Sequence, residues 1–312
     1  MNLAPHPMTL RQLQYVVAVA DRKSFRAAAE VCHVAQPSLS AQIAQVEEAL
    51  NVRIFERDRR KVVLTAAGQA LVSRARALLM AADELGEAAR QLSDPLSGSL
   101  RLGLIPTVGP YLLPEVAPLL RARFPKLSFV WAEDKTAQLV ERLKGGELDG
   151  AILALEADIG DLPKIVLGKD NFVLAVAPEH PLARAKGPLK PEKLDHEQVL
   201  LLDDGHCFRD QALSFCERAG AEEAGYRATS LATLVQMAAS GSYVTLLPSL
   251  AVPVENRRQT LRTRPFVAKQ PGRTLALVYR RHSALEVTLK AVGAVLHEAY
   301  EKLVAEHEES VG

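Results

Sequence analysis

Two cysteines and their neighbours are the residues best suited to chemistry. Cys207 lies in Asp203-Asp-Gly-His-Cys-Phe-Arg-Asp-Gln211, and Cys216 follows nine positions later in Ser-Phe-Cys-Glu-Arg. Residues Arg209–Arg218 read as a helix, which puts Cys207 at its entrance and Cys216 near its end. A helix N-terminus favours an anion, and His206 and Arg209 can add a hydrogen bond or a charge, so Cys207 is placed to ionise. A thiolate, not a thiol, attacks peroxide. The product is a sulfenic acid, with which a second thiol condenses to a disulfide. Nine helical residues rise ~13 Å, whereas a disulfide needs Cα atoms within roughly 7 Å. If the segment is helical when reduced, the two cysteines join only after local unfolding, which is what a redox switch requires. On these residues alone, two independent buried cysteines are the commoner arrangement, and that alternative stays open here. Cys32 has no cysteine nearby and reads as structural. The eight histidines form no metal-ligand spacing, and there is no CxxC, P-loop or GxGxxG. No metal and no cofactor are expected.

The elements that hold these residues belong to a chain of 312 residues, 48% apolar and 24% charged, with a formal charge of +1. The length suggests about two domains, and the composition excludes a disordered chain. No run of ~18 apolar residues predicts a membrane span. The N-terminus lacks a basic flank followed by an apolar core, so it does not read as a signal peptide. Three cysteines without an export signal argue against a secreted disulfide scaffold, and a cytoplasmic protein is expected. The near-neutral total hides an asymmetry. Residues 1–92 carry twelve Lys/Arg against nine Asp/Glu, and the rest carries 26 against 28. A basic front end precedes an acidic remainder.

That front end reads as helices. Thr9–Ala20 places Leu10, Leu13, Val16, Val17 and Val19 near the helical period. Ser24 is placed to cap a short helix through Val31. After a break at Cys32-His33-Val34, Gln36-Pro37-Ser38 opens a third helix with Leu39, Ile43, Val46 and Leu50 as its buried stripe. Two short helices around a tight turn fit a helix-turn-helix. The second of them would offer Gln36, Ser38, Ser40, Gln42 and Gln45 to base edges or phosphates. Arg53 to Thr65 looks like a hairpin wing with a basic tip at Arg57, Arg59, Arg60 and Lys61, whose charge suits the DNA backbone. A helical bundle with a solvated polar face is the alternative to a DNA surface. Thr65 then caps a long helix to about Leu92. Leu71, Leu78, Leu85 and Leu92 fall seven apart in it, with Ala75, Ala82 and Ala89 at the same interval. This is a seam for a partner helix, or else a stripe on the protein's own core.

Ser93–Ser99 is turn-rich. Beyond it, strands are expected at Leu100–Leu104, Leu127–Ala132, Ala151–Leu155, Phe172–Ala177, Val199–Leu202, Val244–Leu247 and Leu275–Tyr279. Helices are expected at Tyr111–Arg123, Ala137–Leu143 and Ala284–Val304. Alternating strands and helices predict an α/β sheet, which at this length makes two lobes with a cleft. The expected division is 1–66 for the winged helix-turn-helix, 67–92 for the linker helix, 93–99 for a hinge and 100–312 for the α/β domain with its two subdomains.

The first segment resembles the LysR-type transcriptional regulators. The resemblance rests on Leu10-x-x-Leu13, Ser24-Phe25-x-x-Ala28-Ala29, Val34-Ala-Gln-Pro-Ser-Leu-Ser40-x-Gln42-Ile43, Glu47-x-x-Leu50, Phe55-Glu-Arg57 and Leu64-Thr65-x-x-Gly68. It implies a winged helix-turn-helix, a linker helix and a two-lobed, periplasmic-binding-protein-like α/β domain. It also implies contacts to double-stranded DNA from Arg26, Gln36, Pro37, Ser38, Ser40, Gln42, Arg53, Arg57, Arg59 and Arg60. Many relatives carry a basic residue just after the Gln-Ile of the recognition helix. Here Ala44 and Gln45 stand there, so that stretch offers fewer phosphate contacts.

The segments Asp204–Ala212, Phe215-Cys216, Arg227–Leu231, Thr245–Pro248 and Gly103–Pro114 are similar to the hydrogen-peroxide-sensing members of the family. That similarity implies Cys207 as peroxidatic and Cys216 as resolving cysteine. Thr107, Thr136, His206 and Arg209 then line the peroxide pocket, with Arg280 nearby. Thr107 has an alternative as a turn or cap residue before Gly109-Pro110, and Thr136 as a helix cap. The resemblance further implies a non-enzymatic regulator of antioxidant genes, a homotetramer built as a dimer of dimers, contact with RNA polymerase, and reduction by glutaredoxin or thioredoxin. A regulator with a small organic effector between its lobes is the rival. A thiol peroxidase is a more distant one.

Overall fold

The computed structural model describes residues 6–57, 62–91, 94–185, 187–267 and 271–311. Two compact units divide the chain: one runs to Ala89 and includes Gly145–Glu147, and the other takes the remainder from Arg90.

In the first unit, α1 (Leu10–Arg22) starts in a reciprocal cap between Thr9 and Gln12. α2 (Phe25–Val31) starts at Ser24, whose Oγ accepts the N–H of Ala27 at 3.3 Å. α3 (Gln36–Leu50) begins with Pro37 in its first turn, where a missing N–H costs nothing. Leu39, Ile43 and Val46 of α3 join Val16, Val19 and Ala28 in one apolar core, while Leu50 is only half-buried. Cys32 caps the end of α2, half-buried against that core.

Buried Glu47 is the one charge in this stripe. Its carboxylate accepts the N–H groups of Ile54 and Phe55 at 2.7 and 3.2 Å and so fixes the path into the wing. The wing pairs β1 (Phe55–Arg57) antiparallel to β2 (Val62–Leu64). Its tip, with the expected contacts Arg59 and Arg60, lies outside the described residues, as does the side chain of Arg57. Thr65 donates to the carbonyl of Arg53 at 2.7 Å and accepts the N–H of Gly68 at 2.8 Å, starting α4 (Ala66–Gln91). Gly68 is needed there, because a Cβ would sit 2.1 Å from the Ile54 oxygen. Along α4, Val72 and Ala75 are buried, but Leu78 and Leu85 are 54% and 74% exposed. Within this unit the second half of the leucine row packs on no core of its own. Leu92 falls outside the described residues.

The second unit runs β3 (Gly98–Leu104), α5 (Gly109–Arg123), β4 (Leu127–Glu133), α6 (Thr136–Lys144), β5 (Gly150–Ala154) and β6 (Lys164–Val176). It continues with β7 (Gln198–Leu202), α7 (Cys207–Arg218), β8 (Glu222–Ala228), α8 (Leu231–Ala238), β9 (Val244–Pro248) and a short α9 (Val252–Glu255). β10 (Arg262–Arg264), β11 (Gly272–Tyr279) and α10 (Glu286–Val311) complete it. The strand order is β4-β3-β5-β11-β6-β9-β7-β8, with β10 also on β6.

The sheet curls into two lobes. In the first, β3 runs parallel to β4 and β5; in the second, β7 runs parallel to β8 and β9. β6 belongs to both, antiparallel to β11 through its first half and to β9 through its second. Only its apolar end was expected as a strand. In its first half the short apolar run Ile165–Leu167 is cut off by Gly168, Lys169 and Asp170, and the Tyr300 ring packs against the Cα side of Gly168: a Cβ would come within 2.5 Å of it. β5 and β9 are buried throughout, as befits strands covered on both faces. β8 was not expected, since Glu222–Ala228 is an edge strand with just two buried residues. No helix of the described residues is long and apolar enough to cross a membrane.

Candidate functional site

Followed through β5, β11, β6 and β9, β7 runs opposite to β3 and β4, so the carboxyl ends of the two parallel sets face each other and the loops leaving them meet in the cleft, the usual place for a ligand in such sheets. From β3 come Ile105, Pro106 and Thr107; from β4, Lys135 and Thr136; from β7, His206 and Cys207. Together these seven line a cleft with about 170 Å³ of empty space.

Cys207 is the first residue of α7 and is half-buried with a free thiol. Two aromatic contacts pin the helix. Phe208 meets Phe172 edge-on at 4.9 Å, and Phe215 meets Phe266 at 4.9 Å. Cys216 lies on the same helix but in the core, 2% exposed. Burial, with the Glu217 charge adding to it, pushes its thiol up to about 12. α7 is continuous from one cysteine to the other, so ~13 Å of helix separates them, beyond the reach of a disulfide.

The two threonines differ. Thr107 is buried and caps nothing: Arg273 Nη1 donates to its Oγ1 at 2.6 Å and Nη2 to its carbonyl at 2.9 Å. Arg273 is itself locked to Asp170 by Nε at 3.0 Å, with both side chains fully buried. Asp170 Oδ1 accepts the N–H of Leu250 at 3.1 Å. Thr136 opens α6, and its buried Oγ1 has no hydrogen-bond partner among the described residues. Such an orphan hydroxyl is costly unless a ligand or water meets it. His206 Nε2 lies 3.1 Å from Asp203 Oδ1. Burial first, and Lys135 second, hold its pKa below the usual histidine value against the opposing pull of Asp203, so the ring is neutral near pH 7.

Two expected residues are elsewhere. Arg209 is buried, but its guanidinium serves Glu223 at 2.9 and 3.0 Å and has Nε 3.1 Å from Asp204. Arg227 completes the same network, 2.8 Å from Glu223 and 2.9 Å from Asp204. Arg209 therefore ties the start of α7 to β8 rather than lining the cleft. Arg280 donates to the carbonyls of Leu143, at 3.0 Å, and Leu148, closing the end of α6. The structure does not bring it to Cys207, and the arginine that reaches Thr107, from behind the cleft, is Arg273. Sequence reasoning missed Arg273, Asp170, Lys135 and Asp203. The Arg273–Asp170 pair has no local signal, since its members are 103 positions apart. Among the described residues no group of three or more His, Cys, Asp or Glu could hold a metal ion.

In the first unit, Gln36, Pro37 and Ser38 stand exposed on the first turn of α3, and Ser40 is half-buried. Gln42 is held from behind, its Oε1 accepting Gln12 Nε2 at 3.0 Å. Arg53 is 79% exposed, with Nη1 3.6 Å from Glu47. Arg26 is exposed beside Glu30 at 3.2 Å.

Comparison with known proteins agrees with this division. The model described as "Bacterial regulatory helix-turn-helix protein, lysR family" matches residues 10–69, and "LysR substrate binding domain" matches residues 93–301. The chain belongs to the LysR family. Its LysR-type relatives include the hydrogen peroxide-inducible genes activator of Dickeya chrysanthemi, 47% identical over 89% of this chain and 91% of that protein. The DNA-binding transcriptional dual regulator OxyR of Escherichia coli (strain K12) is 46% identical over the same shares. Among solved LysR-type structures, a full-length OxyR variant from Pseudomonas aeruginosa is 34% identical, covers 94% of this chain and 95% of that one, and superposes with a TM-score of 0.78. The chain is thus a LysR-type regulator with a helix-turn-helix domain followed by a two-lobed α/β regulatory domain.

Proposed function

We propose that this LysR-type regulator senses hydrogen peroxide with Cys207, locks the oxidised state by a disulfide to Cys216, and so controls genes of antioxidant defence. The observation that carries the reading is the half-buried Cys207 at the start of α7, in a cleft walled by Thr107, Thr136 and neutral His206, with the second thiol on the same helix. The Cys207 thiolate attacks one peroxide oxygen, the O–O bond breaks, and sulfenic acid and hydroxide form. The orphan Thr136 hydroxyl can orient the peroxide, and a donor beside it stabilises the leaving hydroxide. The Cys216 thiol then displaces water from the sulfenic acid, giving the disulfide. Because the bond cannot span the intact helix, α7 must unwind between the cysteines, and that change reaches the DNA-binding unit.

The size of the cleft favours this over an organic effector. Ligand pockets run to ~300–1,000 Å³, whereas all the space among these seven residues, open solvent included, comes to only about 170 Å³. In this reading α3 enters the major groove with Gln36, Ser38, Ser40 and Gln42, while Arg26, Arg53, Arg57, Arg59 and Arg60 meet the backbone. The exposed leucines of α4 pair protomers, two dimers make the tetramer, RNA polymerase is the partner on DNA, and glutaredoxin or thioredoxin resets the thiols in the cytoplasm.

The test is a count of free thiols before and after stoichiometric peroxide, on the full chain, with operator footprints in parallel. Wild-type protein is expected to lose two thiols and change its footprint, and Cys216→Ser to stop at the sulfenic acid. Persistence of both thiols, or an oxidised footprint in Cys216→Ser identical to wild type, sinks the reading.

A further inference from the structure

Lys135 belongs by its backbone to the first lobe, where its carbonyl accepts the N–H of Leu139 at 3.0 Å and starts α6. Its side chain belongs to the second. It crosses the cleft, and Nζ donates to the carbonyl of Asp204 at 2.6 Å while lying 3.6 Å from Asp203 Oδ1. The turn it reaches, Asp203–Gly205, joins β7 to the first residue of α7. Gly205 holds a left-handed φ of +90, and a Cβ there would sit 3.1 Å from Lys135 Cδ and 3.3 Å from Nζ. The glycine is therefore what allows the lysine to lie across the turn. Within its own lobe the turn is held by Arg209 and Arg227, which grip the Asp204 carboxylate. Lys135 is the hold from the opposite lobe.

We propose that Lys135 is a positioning residue, a strap across the cleft that holds the Asp203–Gly205 turn, and with it the start of α7, in the dithiol conformation, and so sets where the thiol–disulfide equilibrium lies. The proposal rests on the Cys207–Cys216 switch argued above. Unwinding α7 from Cys207 frees the turn that precedes it, so a bond made to that turn in the dithiol form alone biases the equilibrium toward the dithiol. The neutral state of His206, which Lys135 helps to hold, is part of the same arrangement.

The test poises the full-length protein in glutathione buffers. Disulfide plus two glutathione thiols gives the dithiol plus oxidised glutathione. The disulfide fraction is read by mass spectrometry after acid quench and alkylation. K135Q and K135M are expected to shift the equilibrium about tenfold toward the disulfide, the scale of a charge-assisted hydrogen bond discounted for partial exposure. K135R, which keeps the charge and the donors, is expected to restore most of the wild-type value. K126Q, which removes a lysine paired at the surface with Asp94, is expected to leave it unchanged. If wild type forms the disulfide and both K135Q and K135M match it within about twofold, the strap is overturned and the switch stands. If K135R shifts as far as K135Q, packing rather than the ammonium bond is responsible and the strap is again overturned. If wild type never forms the disulfide, the switch itself fails, and the strap with it.

Discussion

Cys216 offers the sharpest quantitative test, because its burial fixes both a rate and a pH dependence. With its thiol pushed up to about 12 from an ordinary 9.0, the thiolate at about pH 8 is roughly one part in 10,000, against roughly one in ten for the unperturbed group. Alkylation requires the thiolate, so Cys216 in the folded, reduced protein is expected to react with iodoacetamide about a thousandfold more slowly than in denaturant. Steric exclusion at 2% exposure slows it further. Labelling followed by peptide mass spectrometry, native against denatured, reads this directly. The same shift has a signed effect on stability. The folded-state pKa is raised, so the contribution is complete below about 9, the unfolded value, and disappears as pH climbs through about 12. Its ceiling is about 4 kcal/mol. Wild type is expected to lose stability relative to Cys216→Ala across that window in denaturant titrations. Native alkylation within tenfold of the denatured rate at about pH 8 would refute the placement of Cys216 in the core.

The other predictions follow from single interactions. Asp170→Ala leaves fully buried Arg273 without its carboxylate, which is expected to cost about 3–5 kcal/mol and to lower the melting temperature by about 6–20 °C in calorimetry; a loss under about 1 kcal/mol would mean the pair is solvated. Leu78→Glu combined with Leu85→Glu changes two exposed leucines of α4. Sedimentation is expected to show smaller assemblies with helix content unchanged, and an unaltered mass removes α4 as the pairing surface. Arg53→Ala, at an exposed arginine beside the wing, is expected to reduce the slope of log affinity against log salt by about 0.9, one phosphate contact. An unchanged slope takes Arg53 off the DNA.

Much of this was legible because the signals are local. Ser24 and Thr65 announce helix starts within three residues of themselves, and each helix starts there. Cys207, His206, Thr107 and Thr136 each follow a strand directly or nearly so, and the two lobes' parallel sets, running in opposite senses, bring them to one cleft. What failed is long-range. Arg273 and Arg280 sit at the start and just past the end of β11. Seven extended residues separate them by ~23 Å, so only one can reach Thr107. The choice depends on Asp170 of β6, which pairs across the sheet and leaves no trace in nearby sequence. β8 was invisible for another reason: an edge strand with mostly exposed residues shows no alternation to read. Arg209 reads as a thiolate neighbour from its spacing, but its charge is claimed by Glu223, fourteen positions on.

The packing of α7 also orders the two chemical steps of the proposed switch. Peroxide has to meet Cys207 while the cleft is intact, since Thr107, Thr136 and His206 are brought together only by the closed loops of three strands. Cys216 has to wait, because it is buried, protonated and a helix length away. The sulfenic acid therefore persists until α7 opens, and opening means withdrawing Cys216, and Phe208 or Phe215, from the core and from Phe172 or Phe266. That lost burial is a cost the dithiol form does not bear, about 1.5–3 kcal/mol for each large apolar side chain exposed. It is subtracted from the stability of the disulfide, and 1.4 kcal/mol corresponds to about 30 mV for a two-electron couple. A disulfide formed at the expense of a packed helix is consequently easier to reduce than one set into a relaxed fold. In the proposed switch, the same aromatic contacts that keep the thiols apart therefore ease reduction of the disulfide.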